Sequence, residues 1–191
     1  DPGVSGAATN HDLPDDATLK RLKEAGIFVS AFIDPDDPRF LPPGDMPVRI
    51  QAFCQETGQP VPQGPAEIVR CILESLALKY RWVIERLEVL LGRRIPAIHV
   101  VGGGSRNALL CQWTADACGR PVLVGPAEAT AIGNLMVQAM ALGAVGSLEE
   151  ARAVIRRSFV PTCYAPASSD RWEAAYHRFV RMLSAPSAVS S

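Results

Sequence analysis

The triple glycine at residues 102–104 is the motif of this sequence whose residue types best suit ligand chemistry. It follows the apolar run 97–101 (AIHVV) and precedes a helix that we predict from Ser105 to Cys118, with Ser105 as its N-cap. Glycine lets a main chain approach a flat ligand because no Cβ intervenes. A helix N-terminus adds free N–H groups and a partial positive charge, which favour phosphate. A strand, a glycine turn and a helix in this order indicate a nucleotide at the C-terminal end of a strand.

The spacing of these glycines fits neither of the two common phosphate-binding fingerprints. The motif is not GxGxxG with an acidic residue about 20 positions further on, and it is not GxxxxGK[ST], because no lysine follows. A tight strand-to-helix turn without a ligand would show the same local pattern. The motif alone therefore leaves both interpretations open.

The elements that must position this turn alternate between strands and helices. Apolar runs predict two buried strands, and spacing close to 3.6 residues predicts a long helix followed by shorter ones. This alternation is typical of an α/β layer. Two strands do not form a stable sheet alone, so we expect the sheet to include the segment 27–33 or strands outside this chain. The predicted strands are 97–101 and 121–124, and the predicted helices are 65–91, 105–118, 127–142, 148–158 and 168–183, with an extended segment at 161–166.

The first third of the chain is rich in proline and glycine. We predict short helices over 15–25 and 45–57, the second with Asp45 as its cap, separated by an irregular Pro-rich loop. The chain is accordingly divided into three parts. Residues 1–64 are an irregular Pro-rich segment linking from a missing N-terminal part, residues 65–184 are a nucleotide-binding domain, and residues 185–191 are a disordered tail.

Composition excludes several classes of function. The 191 residues carry a formal net charge of −1, which gives no strong field for nucleic acid or an anionic membrane. No apolar stretch approaches the ~18 residues of a membrane span, and the N-terminus lacks the basic and apolar regions of a signal peptide. The absence of an initiator methionine suggests a processed or cloned fragment.

The five cysteines lack the CxxC or CxxH spacing of a zinc site. We interpret them as buried thiols of a cytoplasmic protein, with a Cys54–Cys71 bridge left open.

Several longer segments together resemble the C-terminal domain of the FGGY family of carbohydrate kinases, and within that family the rhamnulokinases most closely. The resemblance extends from about residue 10 to residue 183. No single segment is specific, but the combination is. The segments are RCILESLALKY at 70–80, HVVGGGSRN at 99–107, ADACG at 115–119, GPAEATAIGN at 125–134, IDPDDPRF at 33–40 and TGQPVP at 57–62.

The resemblance implies the C-terminal half of an actin-like (ribonuclease H-like) α/β fold, with ATP in the cleft between two domains. It further implies that Gly102, Gly103 and Gly104 form the adenosine-binding turn and that Asn107 contacts the purine or the ribose. The intact enzyme would use ATP and Mg²⁺ to convert L-rhamnulose to L-rhamnulose 1-phosphate.

The family's phosphate loop of DxGTT type and its catalytic Asp lie before the segments seen here. We therefore expect no catalytic residue and no metal ligand in this chain, sugar binding only together with the missing domain, and an inactive fragment. Two alternatives stay open. One is a non-catalytic remnant, and the other is a different FGGY kinase, acting on xylulose, glycerol or another sugar.

Four further residues invite functional interpretations that we set against structural ones. His99 lies within a predicted buried strand, so we interpret it as a core histidine with its hydrogen bonds satisfied rather than as a catalytic group. Glu128 follows a turn, where it either caps the next helix or faces the cleft. Asp116 precedes Arg120 by four residues, which predicts a local ion pair rather than a base. Trp113 either packs against the nucleotide turn or serves ordinary core packing, and we interpret it as a core residue.

Overall fold

The computed structural model describes residues 31–167 and 170–184. The predicted helix 15–25, the first four residues of the predicted strand 27–33 and the tail 185–191 lie outside the described residues. The division of the chain at residues 64 and 184 stays a prediction.

Helices and short strands alternate along the described part of the chain. The helices are α1 (Met46–Glu56), α2 (Pro65–Leu91), α3 (Ala108–Cys118), α4 (Ala129–Ala141), α5 (Leu148–Ser158) and α6 (Asp170–Ser184); the strands are β1 (Ile98–Val100), β2 (Val122–Val124) and β3 (Thr162–Tyr164), and short 3-10 turns lie at Pro38–Phe40 and Gly103–Arg106. None of these helices combines the length and apolarity needed to cross a bilayer.

The strands form one mixed sheet in the order β1-β2-β3. β1 and β2 are parallel, with Ile98 opposite Val122, as a strand–helix–strand unit requires. β3 pairs with β2 in antiparallel fashion, with Val122 opposite Tyr164. The two predicted strands are therefore confirmed, and the predicted extended segment 161–166 supplies the third strand.

Sequence signals set the ends of the helices. Asp45 caps α1 by accepting a hydrogen bond from the N–H of Val48 at 3.2 Å. Ser147 caps α5, because its hydroxyl oxygen accepts from the N–H of Glu150 at 3.1 Å. α2 ends at Gly92, which takes the left-handed conformation at φ 62°. With 27 residues, α2 is about 40 Å long, which makes it the longest element of the described chain.

The segment 27–33, expected as a short strand or an extended segment, does not join the sheet over residues 31–33, which the structure describes. Ala31, Phe32 and Ile33 are buried but pair with no strand. Side chains bond their main chain instead. Gln59 accepts from the N–H of Phe32 and donates to its carbonyl, both at 2.8 Å, and the Oγ of Ser75 accepts from the N–H of Ile33 at 3.0 Å. These bonds satisfy three main-chain groups of Phe32 and Ile33 without a strand partner.

α6 packs against both α2 and α3. Phe179 is fully buried, and its ring meets that of Phe32 edge-on, with 6.3 Å between the ring centroids. Trp172 packs against Trp113 of α3 at a centroid distance of 6.2 Å. The expectation that Trp113 serves ordinary core packing is thus confirmed, and α6 fixes the helix that follows the glycine turn.

The predicted ion pair between Asp116 and Arg120 is wrong. Arg120 instead pairs with Glu88 near the end of α2 and donates to the carbonyl of Ile95 at 2.9 Å. Asp116 accepts hydrogen bonds from Gln112 and from the N–H of Ala167, each at 2.8 Å. The spacing rule fails because Gly119 ends α3, so Arg120 no longer lies on the helix face that carries Asp116.

All five cysteines are free thiols, and Cys163 alone among them is exposed. We expect native protein to react rapidly with a thiol reagent at one position, and denatured protein at five. Burial raises the pKa of the Cys118 thiol to about 12, which further suppresses its reactive thiolate form. Timed thiol titration, with Cys163→Ser as control, checks this expectation; three reactive thiols after denaturation without reductant would instead indicate a Cys54–Cys71 bridge.

Candidate functional site

Two glycine-containing turns meet where β1 and β2 end. The N–H of Gly102 donates to the carbonyl of Pro126 at 3.3 Å, and the N–H of Gly125 donates to that of Val100 at 2.9 Å. A Cβ at Gly125 would lie 3.0 Å from the Cγ1 of Val101, which is tighter than ordinary contact. Glycine at this position lets the second turn approach the first. Sequence reasoning treated 125–126 only as a turn and missed this contact between the two loops.

The first turn is held in shape from within. Gly102 has φ +79°, a conformation that side chains other than glycine's rarely adopt. Its carbonyl accepts from the N–H of Ser105 at 3.0 Å and from the Ser105 hydroxyl at 2.6 Å. The turn is therefore formed before any ligand binds.

The outer side of the triple glycine is open. A Cβ added at Gly102, Gly103 or Gly104 would meet nothing within 4 Å. The main-chain N–H groups of Gly103 and Gly104 make no hydrogen bond within the described part of the chain. The turn thus offers a surface without side chains and two N–H donors, an arrangement suited to a flat polar ligand.

Asn107 takes the N-cap role that the sequence predicts for Ser105. The Oδ1 of Asn107 accepts from the N–H of Leu110 at 3.0 Å, so Asn107 is the N-cap of α3, which begins at Ala108. The predicted helix start at Ser105 is wrong, because a 3-10 turn occupies Gly103–Arg106 and the side-chain cap that starts the helix comes from Asn107. Capping uses only the oxygen of the Asn107 amide. Its nitrogen makes no hydrogen bond with any described residue and stays available to a ligand.

An ion pair links the two turns at their surface. The Nη2 of Arg106 lies 2.8 Å from the Oε1 of Glu128, and both side chains are more than two-thirds exposed. Glu128 occupies the N-cap position of α4 but makes no capping hydrogen bond with its side chain. The capping interpretation of Glu128 is therefore wrong, because Arg106 holds its carboxylate. Exposed pairs of this kind contribute little to stability, typically below about 1 kcal/mol.

His99 is exposed, so its interpretation as a core histidine is wrong. β1 is an edge strand, so the neighbours of His99 on one side of the sheet are missing within the described residues. Ile98 and Val100 project to the opposite face, where they pack with Cys111, Ala115 and Val122. The apolar run 97–101 thus reflects one covered face of β1 rather than two.

Cys111 forms part of the apolar backing of the glycine turn. Its Sγ lies 3.9 Å from the carbonyl oxygen of Gly104, and burial raises the pKa of the thiol. The group therefore stays neutral and acts as packing. No cluster of three or more His, Cys, Asp or Glu side chains within 31–167 and 170–184 could hold a metal ion.

An apolar cavity of about 590 Å³ lies beside the turn, with Gly104 at its rim. Its other walls come from α2, α3 and the outer edge of β1. The candidate site thus consists of an open glycine turn on one side and an apolar groove on the other.

Comparison with known proteins shows the family to which the chain belongs. Residues 6–142 match the FGGY family of carbohydrate kinases, C-terminal domain. The chain is 51% identical over 149 residues to the rhamnulokinase of Bacteroides thetaiotaomicron, covering 78% of this chain and 31% of that protein. It is 47% identical over 150 residues to the rhamnulokinase of Enterococcus faecalis, covering 78% and 30% respectively. The chain therefore spans about a third of the length of these relatives.

Solved structures show the same fold at low sequence identity. Xylulose kinase from Rhodospirillum rubrum superposes with a TM-score of 0.50 at 18% identity, covering 64% of this chain and 25% of that one. Plasmodium falciparum glycerol kinase with ADP superposes with a TM-score of 0.53 at 15% identity, covering 92% and 37%. These structures are sugar kinases of the actin-like fold, which confirms the predicted fold class.

Proposed function

Because the chain belongs to the FGGY family of carbohydrate kinases, whose C-terminal domain it matches, we propose that it is the ATP-binding part of a kinase that phosphorylates the ketose L-rhamnulose. The observation that supports ATP binding most strongly is the open glycine turn, with its two unbonded N–H groups at the end of a parallel strand. The identity of 42–51% to rhamnulokinases favours L-rhamnulose over other sugars.

The glycine turn is proposed to receive the adenosine moiety. A purine can lie flat on Gly102, Gly103 and Gly104 because no Cβ stands in the way. The free amide nitrogen of Asn107 can donate a hydrogen bond to a ring nitrogen or a ribose oxygen. The apolar layer behind the turn, with Cys111 in it, keeps the turn rigid.

The reaction itself needs groups beyond this chain. The C1 hydroxyl of L-rhamnulose attacks the γ-phosphorus, the bond to the bridging oxygen breaks, ADP leaves, and the hydroxyl proton passes to a base. None of the described residues at the turn is placed as such a base. We propose that Mg²⁺ would bind together with ATP and would neutralise negative charge on its phosphates.

The proposed setting is the cytoplasm. All five cysteines are free thiols, which is usual for proteins of a reducing compartment. ATP, the proposed phosphoryl donor, is also a cytoplasmic metabolite.

Turnover by this chain alone is expected to be nearly absent, because phosphoryl transfer depends on positioning and charge neutralisation that other parts of the kinase supply. The test is ADP release with ATP, Mg²⁺ and L-rhamnulose. It is made first with the chain alone and then with a chimera in which the chain replaces the matching third of the Bacteroides thetaiotaomicron rhamnulokinase.

Activity of the chimera and not of the chain supports the proposal. Robust activity of the chain alone would contradict the assignment of the catalytic groups elsewhere. A folded chimera that binds L-rhamnulose but lacks turnover would favour the non-catalytic remnant. A chimera that also loses ATP binding would contradict the proposed nucleotide site.

A further inference from the structure

Arg106 and Glu128 join the two turns at the ends that lead into α3 and α4. Arg106 is the last residue of the 3-10 turn, and Glu128 directly precedes α4. The Nη2 of Arg106 lies 2.8 Å from the Oε1 of Glu128. Within the described residues, no other hydrogen bond or ion pair that involves a side chain joins the two turns. The remaining hydrogen bonds between them are main-chain bonds at their strand ends.

One long main-chain hydrogen bond holds the triple glycine to the second turn. The N–H of Gly102 reaches the carbonyl of Pro126 at 3.3 Å, beyond the usual range of about 2.7–3.2 Å for such a bond. The bond from Gly125 to Val100 fixes the second turn to β1 and does not involve the triple glycine. Glycine also restricts the main chain less than any other residue. The orientation of the triple glycine relative to the second turn therefore depends on few contacts, of which the ion pair is one.

Bonds within the first turn connect Arg106 to the triple glycine. Ser105 donates to the carbonyl of Gly102 through both its N–H and its hydroxyl. The N–H of Asn107 donates to the carbonyl of Gly104 at 3.2 Å. Arg106 lies between the two donors of these bonds, so its position sets the direction in which the two free N–H groups of the triple glycine point.

Neither stability nor attraction of charge explains the pair. Both side chains are more than two-thirds exposed, and ion pairs of this kind contribute little to the free energy of unfolding. The carboxylate of Glu128 neutralises the charge of Arg106, so the pair presents no net positive charge to the phosphates of a nucleotide. Glu128 also forgoes the capping bond that its place before α4 would allow. What the pair does supply is a fixed distance between the ends of the two turns.

We propose that Arg106 and Glu128 are positioning residues of the nucleotide site, whose ion pair orients the triple glycine for the ligand. Neither side chain needs to touch the nucleotide. Without the pair, the first turn keeps its internal bonds but rotates relative to the second, so that ordering it on binding costs free energy. The role in ATP binding rests on the proposed function, whereas the orientation of the turn does not.

A double-mutant cycle measured by calorimetric titration of ATP tests this role. Arg106→Gln and Glu128→Gln should each raise the Kd for ATP about 3- to 5-fold, and the double variant should raise it no further, because each single substitution already breaks the pair. Arg106→Lys keeps the charge and should stay within about 2-fold of the wild type. Glu56→Gln is the matched control, because it breaks a surface pair with Arg39 at 2.7 Å on α1, outside the two turns, and should leave the Kd unchanged.

The cycle separates positioning from direct contact with the nucleotide. If Arg106 itself bound the phosphates, Arg106→Gln would raise the Kd, while Glu128→Gln would lower it or leave it unchanged, because removal of the carboxylate frees the cation. Independent contacts of both side chains would multiply in the double variant, to about 9- to 25-fold. Either result would overturn the proposal, as would a Kd that none of these variants changes.

Amide exchange in the free chain, followed by NMR, tests the same role without a nucleotide. The N–H of Gly102, whose bond joins the turns, should exchange about 3- to 5-fold faster in the double variant than in the wild type. The N–H of Ile98 is the internal reference, because its bond to Pro121 lies at the opposite end of β1. Equal exchange at Gly102 in both proteins would overturn positioning by the pair. Faster exchange at Gly102 in a folded chain that binds no ATP would support the positioning role and contradict the proposed function.

Discussion

Gly103→Val is expected to remove ATP binding while leaving the chain folded. A Cβ at Gly103 meets nothing within 4 Å, so the valine side chain fits without displacing any residue. The substitution therefore blocks only a ligand that lies on the outer side of the turn. We expect the Kd for ATP to rise at least about 30-fold, which corresponds to roughly 2 kcal/mol. Calorimetric titration of ATP into the wild-type and variant chains measures the change.

Gly64→Val is the matched control for this substitution. Gly64 also has open space around its Cβ position, but it precedes α2 and lies outside the glycine turn. Both variants should keep their free energy of unfolding within about 1 kcal/mol of the wild type. Equal ATP affinity of Gly103→Val and wild type would show that the nucleotide does not lie on this turn.

Phe179→Ala is expected to cause the largest loss of stability among single core truncations of α6. Phe179 is fully buried and packs edge-on against Phe32, so truncation removes that contact and leaves a cavity. The free energy of unfolding should fall by about 3–5 kcal/mol. Because α6 packs on α3, a partly unfolded variant should also bind ATP more weakly.

Denaturant unfolding of Phe179→Ala is compared with that of Phe159→Ala. Phe159 is 38% exposed, so its truncation removes less apolar contact and should cost about 1–2 kcal/mol. Similar losses for the two variants would contradict the central position that the structure gives to α6.

The helices of this chain were predictable because local signals and the apolar period agree. α2 and α5 begin and end at the predicted residues, since a proline, a serine cap and a terminal glycine mark their boundaries. The glycine turn and its place after a parallel strand also follow from the sequence, because strand, turn and helix are adjacent in the chain.

The errors arose where distant residues decide the outcome. Arg120 pairs with Glu88, 32 positions away. The main chain of Phe32 and Ile33 forms hydrogen bonds with the side chains of Gln59 and Ser75 rather than with a neighbouring strand. His99 looked buried because its neighbours are apolar, yet β1 is an edge strand. None of these contacts has a local signature, so periodicity and spacing could not reveal them.

Within the candidate site, residue types were easier to predict than their roles. The family resemblance implies that Asn107 contacts the ligand, and the structure shows that the amide oxygen of Asn107 caps α3. Asparagine serves well in both roles, because its amide offers an acceptor to the helix and separate donors to a ligand. The contact between Gly102 and Pro126 depends on two parallel strands lying side by side, which the sequence of either turn alone does not encode.

Isothermal titration of ATP into the unmodified chain tests the central claim most directly. The account predicts saturable binding at one site with a Kd between about 1 µM and 1 mM, because the turn is formed before the ligand arrives. ADP should bind in the same range, since the contacts proposed here involve adenosine. A folded chain that takes up neither nucleotide would contradict a preformed adenosine site on this part of the kinase.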